Sequence, residues 1–388
     1  MDTKLFKTKQ VLWNKTNRKV KGFYGVALDI GYSAVKGIGP DMVYCFPSYA
    51  KPCGGNERFD FGCDDTEVIL YRGEDGEIWS IGAYAQDMVE RGDTNDTLEA
   101  SCDRYWFLTP KYLVLFRVGL AFGARYNPGE PIKVQTGLPP AYMGDRGEYV
   151  DALIGDHRFS IKVGNGEWED FEISLTHEDI FVIPQPIGTL YALVQDNHGR
   201  VITEALNKFM NARILIVDGG FGTLDEYDIA KGTAMKSLSL SNLGMKRVLQ
   251  ETINCISQEY NTEVSVPEMQ KVLGEGGVRV LDRKRHKSAQ KPISQMLSKS
   301  STKVCTEALQ KMDADFNYLI DHNYLILTGG TSGAWKHHIK DYYKDMETLQ
   351  VVYAADKTKL PIFFANVEGY YTALLFHLDE VVSKLEVS

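Results

Sequence analysis

Two acids in this chain close runs of apolar residues and are followed within two residues by glycine. Asp29 ends the run Phe23-Tyr24-Gly25-Val26-Ala27-Leu28 and leads into Ile30-Gly31. Asp218 ends Arg213-Ile214-Leu215-Ile216-Val217 and leads into Gly219-Gly220-Phe221-Gly222-Thr223. Glycines let a backbone turn tightly and bring successive N–H groups up to an anion. A carboxylate beside such a turn cannot bind phosphate directly, yet it suits a hydrated Mg2+ carried on phosphate oxygens. Lys36, five residues beyond Gly31, supplies an opposing positive charge. A third pair, Gly329-Gly330 before Thr331, follows the apolar run Tyr324-Leu325-Ile326-Leu327 and would let a nucleoside come close to the backbone. Taken singly, each signal is ordinary, because glycine turns end many strands. The Walker pattern GxxxxGK[ST] is absent, and a dinucleotide-binding reading is poor because Gly219-Gly220-Phe221-Gly222 runs into extended residues rather than a helix. In this order and together, the three turns point to a bound nucleotide.

The elements that would position these residues follow from hydrophobic periodicity. Residues 23–30 and 213–218 read as buried strands, and each is followed by a turn and a returning strand, Ala34–Ile38 in one case and Leu224–Ile229 in the other. The two acids lie 189 positions apart, about half the chain, which predicts an internal duplication of one domain type. Helical spacing appears over Tyr112–Arg125, Val201–Met210, Leu243–Tyr260 (with Asn242 as N-cap), Thr302–Ile320 and Gly369–Lys384. Strand hairpins joined by helical crossovers give an α/β chain of two similar domains. With the two connecting segments taken from the family resemblance described below, the expected boundaries are a basic N-terminal tail at 1–21, a first domain at 22–186 completed by the C-terminal helix at about 366–388, and a second domain at 187–365. Within the second domain, residues 262–300 read as a small subdomain, with a polar, basic and exposed stretch from 270 onward.

Composition sets the class. With 388 residues, 44% hydrophobic and 24% charged, the chain is globular and long enough for two cores. Lys+Arg 43 against Asp+Glu 52 leaves a net charge of −9, which argues against a direct phosphate-backbone footprint on nucleic acid. Seven basic residues against Asp2 in positions 1–21 read as a solvated terminus. The six cysteines are scattered without a CxxC pair and read as reduced thiols, with Cys53 and Cys63 as the one pair that could close a loop. No signal peptide or spanning segment is apparent, so the expectation is a cytoplasmic protein without membrane contact.

The three turns in this order resemble the motifs of the actin, sugar kinase and heat-shock chaperone ATPase superfamily. Asp29-x-Gly31-x-x-x-x-Lys36 is similar to its first phosphate motif and Asp218-Gly219-Gly220-Phe221-Gly222-Thr223-x-Asp225 to its second. Leu327-Thr328-Gly329-Gly330 is similar to its adenosine motif, while Ile183-Pro184-Gln185-Pro186-Ile187-Gly188 and Asn366-Val367-Glu368-Gly369-Tyr370 resemble its two connecting segments. Within the superfamily the likeness is strongest to plasmid-segregating actins of the ParM type, through Asp-x-Gly-Tyr at Asp29–Tyr32, Gly-Gly-x-x-Thr-Leu-Asp at Gly219–Asp225, and Leu243-Gly244 opening a helix. Tyr32 departs from the small hydroxyl residue of eukaryotic actins, and Gln185 stands where some ParM proteins carry a carboxylate.

The resemblance implies an actin-like fold of two RNase H-like domains flanking a nucleotide cleft, and a Mg2+-dependent ATPase or GTPase. Asp29 and Asp218 would hold Mg2+ through water. The backbone of Gly31, Tyr32 and Ser33 and of Gly219, Gly220, Phe221, Gly222 and Thr223 would cradle phosphates with Lys36, while Gly244, Gly329, Gly330 and Thr331 would line the rest of the nucleotide. Gln185 and Asp225 would orient the attacking water. The implied partners are copies of the chain itself in a homopolymer filament, and a DNA-binding adaptor of ParR type on a centromere-like DNA repeat. A small-molecule kinase of the same superfamily is the alternative; a chaperone and a membrane-linked actin fit less well.

Overall fold

The computed structural model describes residues 6–53, 68–88, 104–282, 285 and 287–387. Residues 1–5 of the basic tail, Cys63 of the candidate thiol pair, Cys102, and Arg283 and Lys284 of the basic stretch lie outside the described residues. By packing, the chain divides into two units. One comprises Lys9–Met88, Leu98–Asn207 and Lys357–Ser388; the other is built on Lys208–Asp356 with an N-terminal piece ending at Thr8.

Among the described residues the first unit holds eleven strands, in chain order β1 (Val11–Asn14), β2 (Tyr24–Ile30), β3 (Ala34–Ile38), β4 (Met42–Pro47), β5 (Ala50–Pro52), β6 (Ile69–Gly73), β7 (Ile78–Ile81), β8 (Ile132–Leu138), β9 (Gly155–Val163), β10 (Glu169–Leu175) and β11 (Ile180–Pro184). Its main sheet runs β1-β4-β3-β2-β8-β11, and a second sheet runs β10-β9-β6-β7-β5. Every residue of β2 is buried, because helices cover both faces. Val26 and Leu28 pack where Gly123 and Gly119 leave room on helix Pro110–Ala124, and Gly25 faces Leu374 of helix Ala365–Val387. A continuous apolar strand of this kind is what double-sided burial requires. The segment expected as a solvated tail contributes β1, which pairs antiparallel with β4 and caps the edge of the sheet.

The second unit repeats this plan. Its strands are β12 (Arg213–Gly219), β13 (Leu224–Ala230), β14 (Thr233–Leu240), β15 (Gly277–Asp282), β16 (Lys287–Pro292), β17 (Tyr324–Thr328) and β18 (Gln350–Tyr353). The main sheet runs β14-β13-β12-β17-β18. In each unit the acid-bearing strand pairs antiparallel with the returning strand and parallel with the strand on its other side. Strand for strand, β4-β3-β2-β8-β11 and β14-β13-β12-β17-β18 have one order and one set of directions. Leu215, Val217 and Leu327 pack with Leu249, Leu309 and Trp335 of the helices that cover one face.

Two local expectations change. Helix Met245–Tyr260 takes Gly244, not Asn242, as its N-cap, because Gly244 packs directly on the preceding turn. Residues 262–300 are not wholly exposed. Helix Val266–Glu275 starts with a capping box from Ser265 and Glu268, and Met269, Leu273, Val278 and Ile293 enter the core of the unit; only the outer strand β16 is exposed throughout.

In the first unit, helices Gln185–Leu193 and Ala365–Val387 cross backbone to backbone. A Cβ placed on Gly369 would lie 1.6 Å from the Gly188 carbonyl oxygen. Gly369→Ala should therefore lower unfolding stability by about 1–3 kcal/mol or more in urea titration, and an unchanged midpoint would contradict this crossing.

Candidate functional site

In the first unit, strand pairing places Asp29 on β2 directly opposite Lys36 on β3. Their side chains meet at 2.8 Å, with Asp29 6% and Lys36 19% exposed. A carboxylate removed from water in this way needs such a partner. The turn between them is held by the Gly31 N–H donating to the Ala34 carbonyl at 3.0 Å and by the Ser48 hydroxyl donating to the Gly31 carbonyl at 2.6 Å. The Ser48 N–H donates in turn to the Ser33 carbonyl at 3.0 Å. Tyr32 lays its ring 5.8 Å from that of Trp106. Behind this turn runs a buried hydroxyl chain, Tyr112 to Tyr149 at 2.7 Å and Tyr149 to Thr136 at 3.0 Å. Burial pushes both phenols up, and the Asp29 charge adds to it. Gln185 begins helix Gln185–Leu193 immediately after β11. Since β2, β8 and β11 are parallel, Gln185 and Asp29 stand at the same carboxyl-end edge of the sheet, where α/β sheets place ligands.

The second hairpin has the same register with different chemistry. Asp218 on β12 lies directly opposite Asp225 on β13, so that Asp225 occupies the position that Lys36 holds in the first copy. Asp225 is fully buried and accepts from the Thr223 hydroxyl at 2.9 Å and from the Ser239 hydroxyl of β14. Burial raises its pKa, and the two hydroxyls oppose that shift. A carboxylate has about four acceptor positions, so two remain for further donors.

The turn between these strands is gripped by two helices of the same unit. The Met245 and Lys246 N–H groups donate to the Gly220 and Phe221 carbonyls at 3.2 and 2.8 Å. The first turn of helix Met245–Tyr260 is thus spent on holding the loop. Gly244 is required here, because its Cβ would lie 2.6 Å from the Phe221 carbonyl oxygen. From the other side the Thr331 hydroxyl donates to the Gly220 carbonyl at 2.7 Å.

The pair Gly329-Gly330 was expected as a turn; it forms the start of helix Gly329–Tyr342. Gly329 has φ +81°, and a Cβ there would lie 2.3 Å from Asp218 Oδ1 and 2.5 Å from the Gly219 carbonyl oxygen. Gly330 has open space around its Cβ position. The second unit therefore assembles Asp218, Gly219–Thr223, Asp225, Gly244, Gly329 and Thr331 in one place. The first assembles Asp29, Gly31–Ser33 and Lys36, with Gln185 on the same sheet edge. Ser48 and Ser239 were not singled out from the sequence. The strand register places Ser239 of β14 opposite Asp225.

Chemically, this is one backbone-lined turn beside two facing carboxylates, and a second turn beside a carboxylate and a lysine. Among the described residues no group of three or more His, Cys, Asp or Glu has the arrangement to cage a metal ion.

Comparison with known proteins gives the following. Residues 27–188 match the family model described as actin like proteins N terminal domain. No curated protein matches in sequence. Among solved structures, a 15-stranded ParM filament from Clostridium botulinum aligns with TM-score 0.68 at 17% identity, covering 90% of this chain and 98% of that one. The actin-like protein Alp7A aligns with TM-score 0.65 at 13% identity, covering 94% and 100%. The archaeal actin homolog Ta0583 in complex with ADP aligns with TM-score 0.58 at 17% identity, covering 91% and 99%. The fold is actin-like.

Gly329→Ala should destabilise the second unit by about 2 kcal/mol or more, from the left-handed backbone together with the clash. Gly330→Ala should be close to neutral. Equal urea midpoints for the two variants would contradict the close approach at Asp218.

Proposed function

Taking the actin-like fold as premise, we propose that this chain is a nucleotide-switched filament protein. In this reading it binds ATP or GTP with Mg2+, assembles with copies of itself, and hydrolyses the nucleotide as a timer for disassembly. One observation carries the reading: an acid followed by a glycine turn closes the matching central strand of two sheets with one topology, and the second copy replaces lysine by the buried acid Asp225. A ParM filament and an ADP-bound actin homolog with the same fold support it.

The residues divide the work as follows. The N–H groups of Tyr32–Ser33 and of Phe221–Thr223 bind phosphate oxygens, on turns closed by the Gly31 and Gly220 N–H groups, with Lys36 adding charge. Gly329, Gly330 and Thr331 lie along the nucleoside. Asp29 and Asp218 hold Mg2+ through its water molecules. Mg2+, when bound, neutralises charge on the phosphate oxygens. Asp225, fixed by Ser239 and Thr223, and Gln185, at the start of its helix, orient the attacking water, a placement task typical of phosphoryl transfer.

By the likeness to ParM, the filament moves plasmid DNA through an adaptor of ParR type bound to a centromere-like repeat, in the cytoplasm. The net charge of −9 favours such an indirect link over direct DNA contact. Among the described residues no helix is long and apolar enough to cross a membrane.

Asp225→Ala should slow phosphate release by roughly 10²-fold or more while nucleotide-driven pelleting persists, giving longer-lived polymer. Unchanged release would remove Asp225 from the proposed role. Asp29→Ala should weaken Mg2+-nucleotide affinity at least about tenfold, equivalent to about 1.4 kcal/mol, in fluorescent-nucleotide titration. Wild-type affinity in that variant would refute the phosphate-side assignment of the first hairpin.

A further inference from the structure

One buried acid has no part in the site just described. Glu226 follows Asp225 on β13, and strand alternation turns its side chain to the opposite face, toward the core that contains Leu224 and Val217. It is 0% exposed, and neither carboxyl oxygen has a hydrogen-bond partner. Titratable groups from three other elements act on it electrostatically. Lys236 comes from β14, Lys311 and Asp315 from the end of helix Ser294–Asp315, and Tyr343 from the residue after helix Gly329–Tyr342. Asp225 is its charged neighbour on β13 itself.

Neither lysine serves Glu226 as an ion-pair partner. Lys311 pairs with Asp315 at 3.1 Å. Lys236 donates to the Asp315 carbonyl at 3.0 Å, sits 3.9 Å from the Asp315 carboxylate, and lies over the Phe316 ring. Tyr343 donates to Asp313 at 2.8 Å. The second oxygen of Asp315 is also buried without a partner. The carbonyl end of helix Ser294–Asp315 adds further negative potential at this point. An ionised carboxylate without hydrogen bonds in such a place is strongly unfavourable, whereas a carboxylic acid is tolerated.

We propose that Glu226 carries a proton inside the folded second unit, so that the strand bearing Asp225 is held most firmly in acid solution and loosens steadily as the pH rises through neutral to mildly alkaline values. The unit then contains a built-in alkaline sensor on the reverse face of its candidate site. Burial and the Asp315 charge push the Glu226 carboxyl up to about 8. The sign follows from linkage. The folded chain keeps a proton that the unfolded chain loses from about pH 4.5, so stability falls between that pH and about 8 and levels off above it. The inference bears on regulation of the proposed site, but its test uses no nucleotide.

The test compares wild type with Glu226→Gln by urea unfolding from pH 5 to 9, and follows the protonated-carboxyl band of wild type by infrared spectroscopy. The expected result is that the variant's advantage over wild type grows tenfold or more in folding equilibrium between pH 5 and 8 and is constant above. The infrared band should be present at pH 7, disappear near pH 8, and be missing in the variant. Parallel stability curves across the whole range would overturn the proposal. Where the variant fails to fold, absence of the band from wild type at pH 7 would do so. Loss of nucleotide binding with both signatures intact would count against the proposed function alone.

Discussion

The missing side chains at Gly219, Gly244 and Gly329 allow three chain segments to meet around the Asp218 carboxylate. A Cβ on any of the three would fall inside the contact distance of a neighbouring backbone or carboxylate atom. Because the segments meet backbone to backbone, carbonyls of the turn can be taken up by the N–H groups of Met245 and Lys246 and by the Thr331 hydroxyl. The turn's shape is thus fixed both by its own closing bond, from the Gly220 N–H to the Thr223 carbonyl, and by the covering helices. That is the preorganisation a phosphate-binding turn needs, since ordering it on ligand arrival would weaken binding.

The same sheet is used twice with opposite electrostatics. In the first unit the residue across from the acid is Lys36, and the pair neutralises itself. In the second unit it is Asp225, held by two hydroxyls, so that two acids stand opposite one another in the strand pairing. A duplicated scaffold has therefore been given one basic and one acidic version of a single position.

Much of this was legible in the sequence. Apolar runs ending in Asp and Gly are conspicuous because β2 and β12 are buried on both faces or nearly so, which removes the polar alternation that blurs other strands. Their equal spacing from similar turns predicted the duplication, and the repeated strand order agrees with it. Other features depended on contacts distant in sequence. β1 was hidden by the basic residues around it, since an edge strand with one partner tolerates charge. Ser48 and Ser239 are single hydroxyls whose meaning comes from contacts distant in sequence, Ser48 with the Gly31 and Ser33 carbonyls and Ser239 with Asp225 across the strand pair. Gly329 reads as a turn because glycine pairs usually are; its positive φ lies at a helix start, where close approach to Asp218 excludes a side chain.

The central claim is that nucleotide binding at these turns drives self-assembly. Right-angle light scattering with sedimentation, on purified protein in Mg2+ with ATP, GTP or neither, tests it most directly. The account predicts scattering that rises only above a critical protein concentration, requires nucleotide, and decays as phosphate is released. A flat trace at all concentrations, with nucleotide shown to be bound and turned over, would contradict the filament reading and leave an actin-like fold doing other chemistry.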